Sequence, residues 1–294
     1  MVFILIGIIL IAIIVYLVAA WRWQCRSNPM CHVPQELDMI NLGSTYAFYD
    51  FAYTDTEKSG ANLANVPQYL DMDYLLLQKY IDHLKKGGKV LIVLPDFVFA
   101  SLGGEYNRKV YYEALRRREI KNFDQKRYWK CVWKAAKEPF FHEYKKQKER
   151  WKGHVASIEE KQKHADGRVA DWEGKLGVVS VQTGEVTETL RDCIRQNQKL
   201  VKAMIAFCRE HEAEPVLILP PTSEIMNQKV ADACIEAYLK EPVLQIVKDT
   251  DVRMLDYLRQ ENLQSEKLYL NSDCLNAEGQ KIFMEQLMKD IWNA

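Results

Sequence analysis

The chain opens on an uncharged apolar stretch, which restricts its fold and its location more than anything that follows. Val2 to Ala20 is almost entirely Ile, Leu, Val and Ala and carries no charged residue. A helix rises about 1.5 Å per residue, so these nineteen residues are long enough to cross a hydrocarbon core of about 30 Å. Trp21 and Trp23 follow directly, with Arg22 and Arg26 beside them, a composition suited to the membrane–water interface. A cleaved signal peptide fits less well. It would begin with a basic segment, its apolar run would be shorter, and small residues would precede the Trp pair. A lipoprotein anchor at Cys25 is also disfavoured, because Arg22-Trp23-Gln24 precede it. The sequence therefore predicts a single-pass anchor through residues 2–20, with its interfacial flank ending at residue 26. The two arginines lie after the span, which by the positive-inside rule points the remainder towards the cytoplasm. Two charges are a small bias.

Beyond residue 26 the composition is that of a globular protein. Over 294 residues, 40 Lys and Arg balance 40 Asp and Glu, 48% of residues are apolar and 27% charged. Those proportions exclude a disordered chain. The balanced charge argues against nucleic acid as a partner. The cysteines are Cys25, Cys31, Cys131, Cys193, Cys208, Cys234 and Cys274, an odd number without CxxC or Cys/His metal spacing. No disulfide framework, metal site or cofactor is expected from them. Free thiols suit the cytosol, or an anaerobe's exterior, better than an oxidising lumen.

Residues 27–36 read as a juxtamembrane linker, and 37–294 as one domain. Val90–Leu94 and Val216–Leu219 are continuous apolar runs and predict buried strands, and Leu37–Leu42 and Val252–Leu255 also read as strands. Between them, helical periodicity predicts helices over Gln68–Lys86, Thr189–Glu212 and Val230–Lys248, and a last helix over Asn276–Trp292 with Asn276 as N-cap. Lys85-Lys86-Gly87-Gly88 reads as the end of the first of these helices. Residues 153–188 are polar and punctuated by glycine, and read as a loop or small hairpin. Strands alternating with helices predict an α/β fold with a parallel sheet covered on both faces. The segment 116–152 stands apart as a helical insert, with fourteen Lys and Arg against five Asp and Glu. Trp129, Trp133 and Trp151 are interleaved with these charges. Trp129 and Trp133 share a helix face. Such a segment is either a solvated amphipathic insert packed on the body or a surface for anionic headgroups.

In an open parallel sheet, ligands bind at the carboxyl ends of the strands. Gly43-Ser44-Thr45, Gly60-Ala61-Asn62 and Asn271-Ser272-Asp273-Cys274 all belong to segments that can converge there. Two of these segments carry a family likeness. NLGSTYAFYDF at 41–51 and NSDCLNAEGQKIF at 271–283 resemble the first and last blocks of the SGNH (GDSL-like) hydrolase superfamily. Leu275-Asn276-Ala277-Glu278-Gly279 is the most specific piece. The likeness spans residues 37–292 and leaves the basic insert uncovered. It implies a three-layer α/β/α sandwich of flavodoxin-like type. It also implies acyl-ester hydrolysis or transfer with Ser44 or Thr45 as nucleophile, and with Gly43, the neighbouring backbone amides and Asn62 as oxyanion or substrate ligands. An anchor joined to such a domain is similar to the D-alanyl-transfer and O-acetylation proteins of bacterial surfaces. That kinship implies an extracytoplasmic domain, a surface-glycan substrate and a multi-spanning membrane acyltransferase as partner.

The likeness breaks where the chemistry is concentrated. The family's last block is Asp-x-x-His, and here its first and fourth positions are Asn271 and Cys274. Asn carries no charge to orient an imidazolium, and a thiol does not replace a base titrating near neutrality. No other histidine presents itself as the base. His83 and His211 read as solvated helix residues, and His154 and His164 lie in the segment read as a loop. The sequence thus favours an SGNH-like protein with impaired triad chemistry. An active esterase with an unusual base and a membrane-surface scaffold are the alternatives.

Overall fold

A computed structural model describes residues 2–54, 56–100, 102–104, 106–140 and 155–292. The strands are β1 (Leu37–Leu42), β2 (Gly60–Asn62), β3 (Leu84–Val93), β4 (Glu214–Leu219) and β5 (Arg253–Asp256). Among the described residues the α-helices are α1 (Val2–Cys25), α2 (Thr45–Asp50), α3 (Leu70–Tyr80), α4 (Lys109–Ala114), α5 (Gln125–Lys137), α6 (Ile158–Lys175), α7 (Glu188–Glu210), α8 (Glu224–Lys229), α9 (Asp232–Ile235), α10 (Glu241–Thr250) and α11 (Ala277–Trp292). The chain divides into two compact units, Met1–Val33 with Glu105–Arg150, and Pro34–Gly104 with Trp151–Ala294. The described part of the basic segment, residues 116–140, thus groups with the N-terminal helix.

In the first unit, α1 is long and apolar enough to cross a membrane, and none of its most apolar stretch is buried. Helix α5 packs on its C-terminal part. The buried residues there are Ala20 and Gln24 of α1 and Val132, Ala135 and Ala136 of α5. Small residues at the crossing let the two backbones approach closely. The last carbonyls of a helix have no partner within it, and α1 supplies donors for those of α5. The Tyr16 hydroxyl donates to the Ala136 carbonyl at 2.7 Å, and Gln24 Nε2 donates to the Glu138 carbonyl at 2.6 Å. Asp124 caps the other end of α5 through the Arg127 amide at 3.0 Å. Of the basic segment, residues 116–140 are described, whereas His142, Trp151 and His154 lie outside the described residues.

The second unit is α/β. Its five strands are all parallel and ordered β2-β1-β3-β4-β5. Val90–Val93 and Val216–Leu219 are fully buried, as continuous apolar runs in a parallel sheet should be. Helix α2 packs against α11, while α7 packs against both α3 and α10. Asn276 caps α11 as its position suggests, accepting from the amides of Glu278 and Gly279 at 3.0 Å each.

Two segments differ from the sequence reading. Residues 84–88 continue a strand instead of ending a helix: α3 stops at Tyr80, and β3 begins at Leu84 with a register shift before Lys89. Gly87, at φ 74°, lies in this irregular stretch, so the glycine marks a strand irregularity where a helix cap was expected. Residues 158–175 form the 18-residue helix α6 in place of a loop. Ser157 and Glu160 close a capping box at its start, and its two glycines, Gly167 and Gly174, face open space. The helix expected over 230–248 is present as a continuous helical run over 232–250, in which a π-turn at Glu236–Lys240 joins α9 to α10.

Candidate functional site

The strand order reverses between β1 and β3: one crossover leaves β1 towards β2, and the later strands are added on the other side. Ligand crevices form at the carboxyl ends of strands at such a point. A crevice lies there, lined by Ser44 after β1, Gln68 and Asp73 after β2, Phe97 after β3, and Arg168 and Lys175 from α6.

Gly43 makes the turn from β1 into α2 possible. Its φ is 136°, and a Cβ there would lie 2.9 Å from the Ala47 Cβ and 3.1 Å from the Val93 Cβ. Only glycine fits such a close approach without strain. The Gly43 amide donates to Asp73 Oδ1 at 2.9 Å, so it is committed to the fold and not offered to a ligand. Ser44 precedes α2 without capping it. Its Oγ instead accepts from the Gln68 amide at 3.1 Å. Gln68 Nε2 donates to Asp73 Oδ1 at 2.6 Å. Ser44, Gln68, Asp73 and Gly43 are therefore one hydrogen-bonded group. Ser44 lines the crevice, whereas Thr45 begins α2 and does not.

The other residues singled out in the sequence have structural roles. Asn62 sits in the edge strand β2, accepts from Asn41 Nδ2 at 2.9 Å, and donates to the carbonyls of Ala47 at 2.8 Å and Phe51 at 3.0 Å. Its amide clamps the β1–α2 turn, which corrects its assignment as an oxyanion ligand. Asn271 Oδ1 accepts from the amides of Asp273 at 2.9 Å and Cys274 at 2.8 Å, closing a turn before α11. Cys274 is fully buried. Burial, together with the nearby charges of Asp50 and Asp273, pushes its thiol well above the usual range. It is therefore protonated and enclosed, the opposite of a nucleophilic cysteine. Neither Asn271, Cys274 nor Asn62 lines the crevice. No disulfide joins any two of the seven cysteines.

The charged part of the site comes from residues that the sequence reading does not assign to it. Arg168 lies between two buried carboxylates. Its Nε is 2.8 Å from Asp273 Oδ2, and a terminal guanidinium nitrogen is 3.9 Å from Asp96 Oδ1. The Nε contact is an ion pair without the alignment of a hydrogen bond. The guanidinium also lies over the Phe97 ring, 4.8 Å from its centre. Asp96 Oδ2 accepts from the Tyr46 hydroxyl at 3.1 Å. Burial pushes the Asp96 carboxyl up to about 7, against the pull of Arg168. On the far side, Ser272 Oγ donates to Asp273 Oδ1 at 2.9 Å, and His164 Nδ1 lies 2.7 Å from the same hydroxyl. The imidazole thus meets the last block through Ser272, which is completely buried. It does not reach Ser44.

Asp73 is the second unusual carboxyl. Burial raises it to about 7, even though the hydrogen bonds from Gln68 and Gly43 favour its charged form. It lies on the buried side of α3 with Leu70, Leu76 and Leu77, and a carboxylate at helical spacing among leucines is the signal in the sequence that marks it. Among the described residues no group of three His, Cys, Asp or Glu side chains converges as metal ligands. Compared with known proteins, the chain matches no family model and no curated protein.

Proposed function

We propose that this chain is a membrane-anchored, SGNH-like protein whose crevice binds an acylated surface glycan, with the triad chemistry of the superfamily impaired. One observation carries the reading. Ser44 stands in a crevice at the reversal point of a parallel sheet, yet among the described residues no histidine contacts it. A serine hydroxyl without a positioned base is a weak nucleophile. The last block supplies none, because Asn271 closes a turn and Cys274 is enclosed.

The sheet order and the two helix groups, α2 with α11 and α3 with α7 and α10, support a three-layer sandwich. Right-handed crossovers in this strand order put those groups on opposite faces. The apolar α1 supports single-pass anchorage. With an extracytoplasmic domain, the crevice would meet the glycan where a multi-spanning acyltransferase delivers acyl groups.

A second reading has its own observation. Asp73 titrates near neutrality, lines the crevice with Ser44, and is joined to it through Gln68. As a general base Asp73 would take the Ser44 proton, making the protein an ester hydrolase or O-acyltransferase without histidine.

Binding is tested with the full chain in lipid nanodiscs and an O-acetylated N-acetylglucosamine oligomer. The expected result is saturable binding that Ser44→Trp weakens by about tenfold or more by filling the crevice, equivalent to roughly 1.4 kcal/mol. A melting curve confirms that the variant is folded. Binding unchanged in folded Ser44→Trp, or no saturable binding by wild type, would contradict the proposal.

A further inference from the structure

We propose that the exposed tryptophan–lysine face of α5 lies in the headgroup layer of the bilayer entered by α1, with anionic lipid phosphates against its lysines. The inference rests on the membrane anchorage proposed above and adds a second membrane contact in the same unit. Trp129 and Trp133 are 45% and 51% exposed, although large aromatic rings usually find cover. Four residues apart, they share one face. At 100° per residue, Lys126, Lys130 and Lys137 fall within about 100° of Trp129 on the same side of the helix. All three lysines are exposed. Ala135 on the far side of the helix, and Val132 and Ala136 along the flank of Trp129 away from the lysines, are buried. The aromatic–basic face is therefore the one that packing leaves outward.

The depth of this face follows from its partner helix. Helix α5 meets α1 around Ala20 and Gln24, where the apolar run gives way to Trp21 and Trp23. The Trp21 ring stands edge-on to Tyr128 of α5 at 5.6 Å, and Tyr16 and Gln24 hold the last carbonyls of α5. A helix fixed at that level sits where indole rings are favoured and where lysine stems can extend to phosphates. Between Arg116 and Phe140 there are nine Lys and Arg against three Asp and Glu. That excess complements an anionic leaflet.

The test uses the full chain reconstituted in vesicles whose acyl chains carry bromine, which quenches nearby tryptophan, with and without phosphatidylglycerol. Flotation with the vesicles reports the anchor by itself. Part of the quenching is expected to disappear in the Trp129→Phe, Trp133→Phe variant. That part should be about twofold larger with phosphatidylglycerol, and should fall to the zwitterionic level in high salt or in the Lys126→Gln, Lys130→Gln, Lys137→Gln variant. If the chain floats but the double Phe variant quenches like wild type, α5 lies away from the bilayer and the proposal fails alone. Quenching insensitive to lipid charge overturns the phosphate contact. Failure to float removes the anchor and the proposal with it.

Discussion

Arg168→Met is expected to destabilise the second unit by about 3–5 kcal/mol, the usual cost of removing one partner from a buried ion pair. The Asp96 and Asp273 side chains are 1% and 7% exposed and share this one guanidinium. Methionine fills much of the arginine stem's space, so lost charge would dominate over lost volume. In a domain of this size that loss corresponds to a fall in Tm of about 10 °C. The cost should be smaller at pH 5 than at pH 8, because Asp96, with its carboxyl raised to about 7, can then take up a proton and stop demanding a counter-charge. Asp96→Asn added to Arg168→Met should recover part of the loss at pH 8. Thermal unfolding of the full chain in detergent measures all three. A fall under about 2 °C at pH 8 would mean the cluster is solvated and contributes little.

The second large effect is the loss of stability as pH rises. Asp73 is raised to about 7 in the folded protein by burial and returns to about 3.9 when unfolded. Between those values the folded state holds a proton that the unfolded state has released. Stability is therefore fully present below about pH 4 and is lost as pH rises through about 7, by an amount on the order of a few kcal/mol. Asp96 adds a slope of the same sign. Asp38, held down to about 2 by its ion pair with Lys85, acts in the opposite sense but only at more acid pH. From pH 5 to pH 8 the Tm should fall. Asp73→Asn should raise the Tm at pH 8 by more than at pH 5, because Asn carries no charge to bury and its side-chain oxygen can still accept from Gly43 and Gln68. A wild-type Tm that rises over this interval, or a variant with the same slope, would show that Asp73 is ionised at little cost.

The strands were legible because a parallel sheet buries both faces, which leaves unbroken apolar runs at Val90–Val93 and Val216–Leu219 and, interrupted by Asp38 and Asn41, a mostly apolar run at Leu37–Leu42. The position of Ser44 was legible too, since Gly43-Ser44 follows the first such run at the point where a crevice forms. The polar machinery around it was not. Arg168 and His164 belong to α6, whose two glycines give it the composition of a loop. Its start was encoded in the Ser157–Glu160 capping box, a two-residue signal easily outweighed by glycine. The meeting of Arg168 with Asp96 and Asp273 depends on the tertiary fold, and no local pattern announces it. Asn62 illustrates the reverse problem. A small amide near a strand end suits an oxyanion ligand and a backbone clamp equally well, and only its hydrogen bonds to Ala47 and Phe51 decide between them.

The proposed function puts Ser44 in a binding crevice without an activating base. Its most direct test is fluorophosphonate labelling of the full chain in nanodiscs, with adducts located by peptide mass spectrometry and folding checked by a melting curve. No adduct is expected at Ser44 or Thr45 in folded protein. Stoichiometric modification of Ser44 would contradict it and favour the reading in which Asp73 is the base, in which case Asp73→Asn should abolish the adduct.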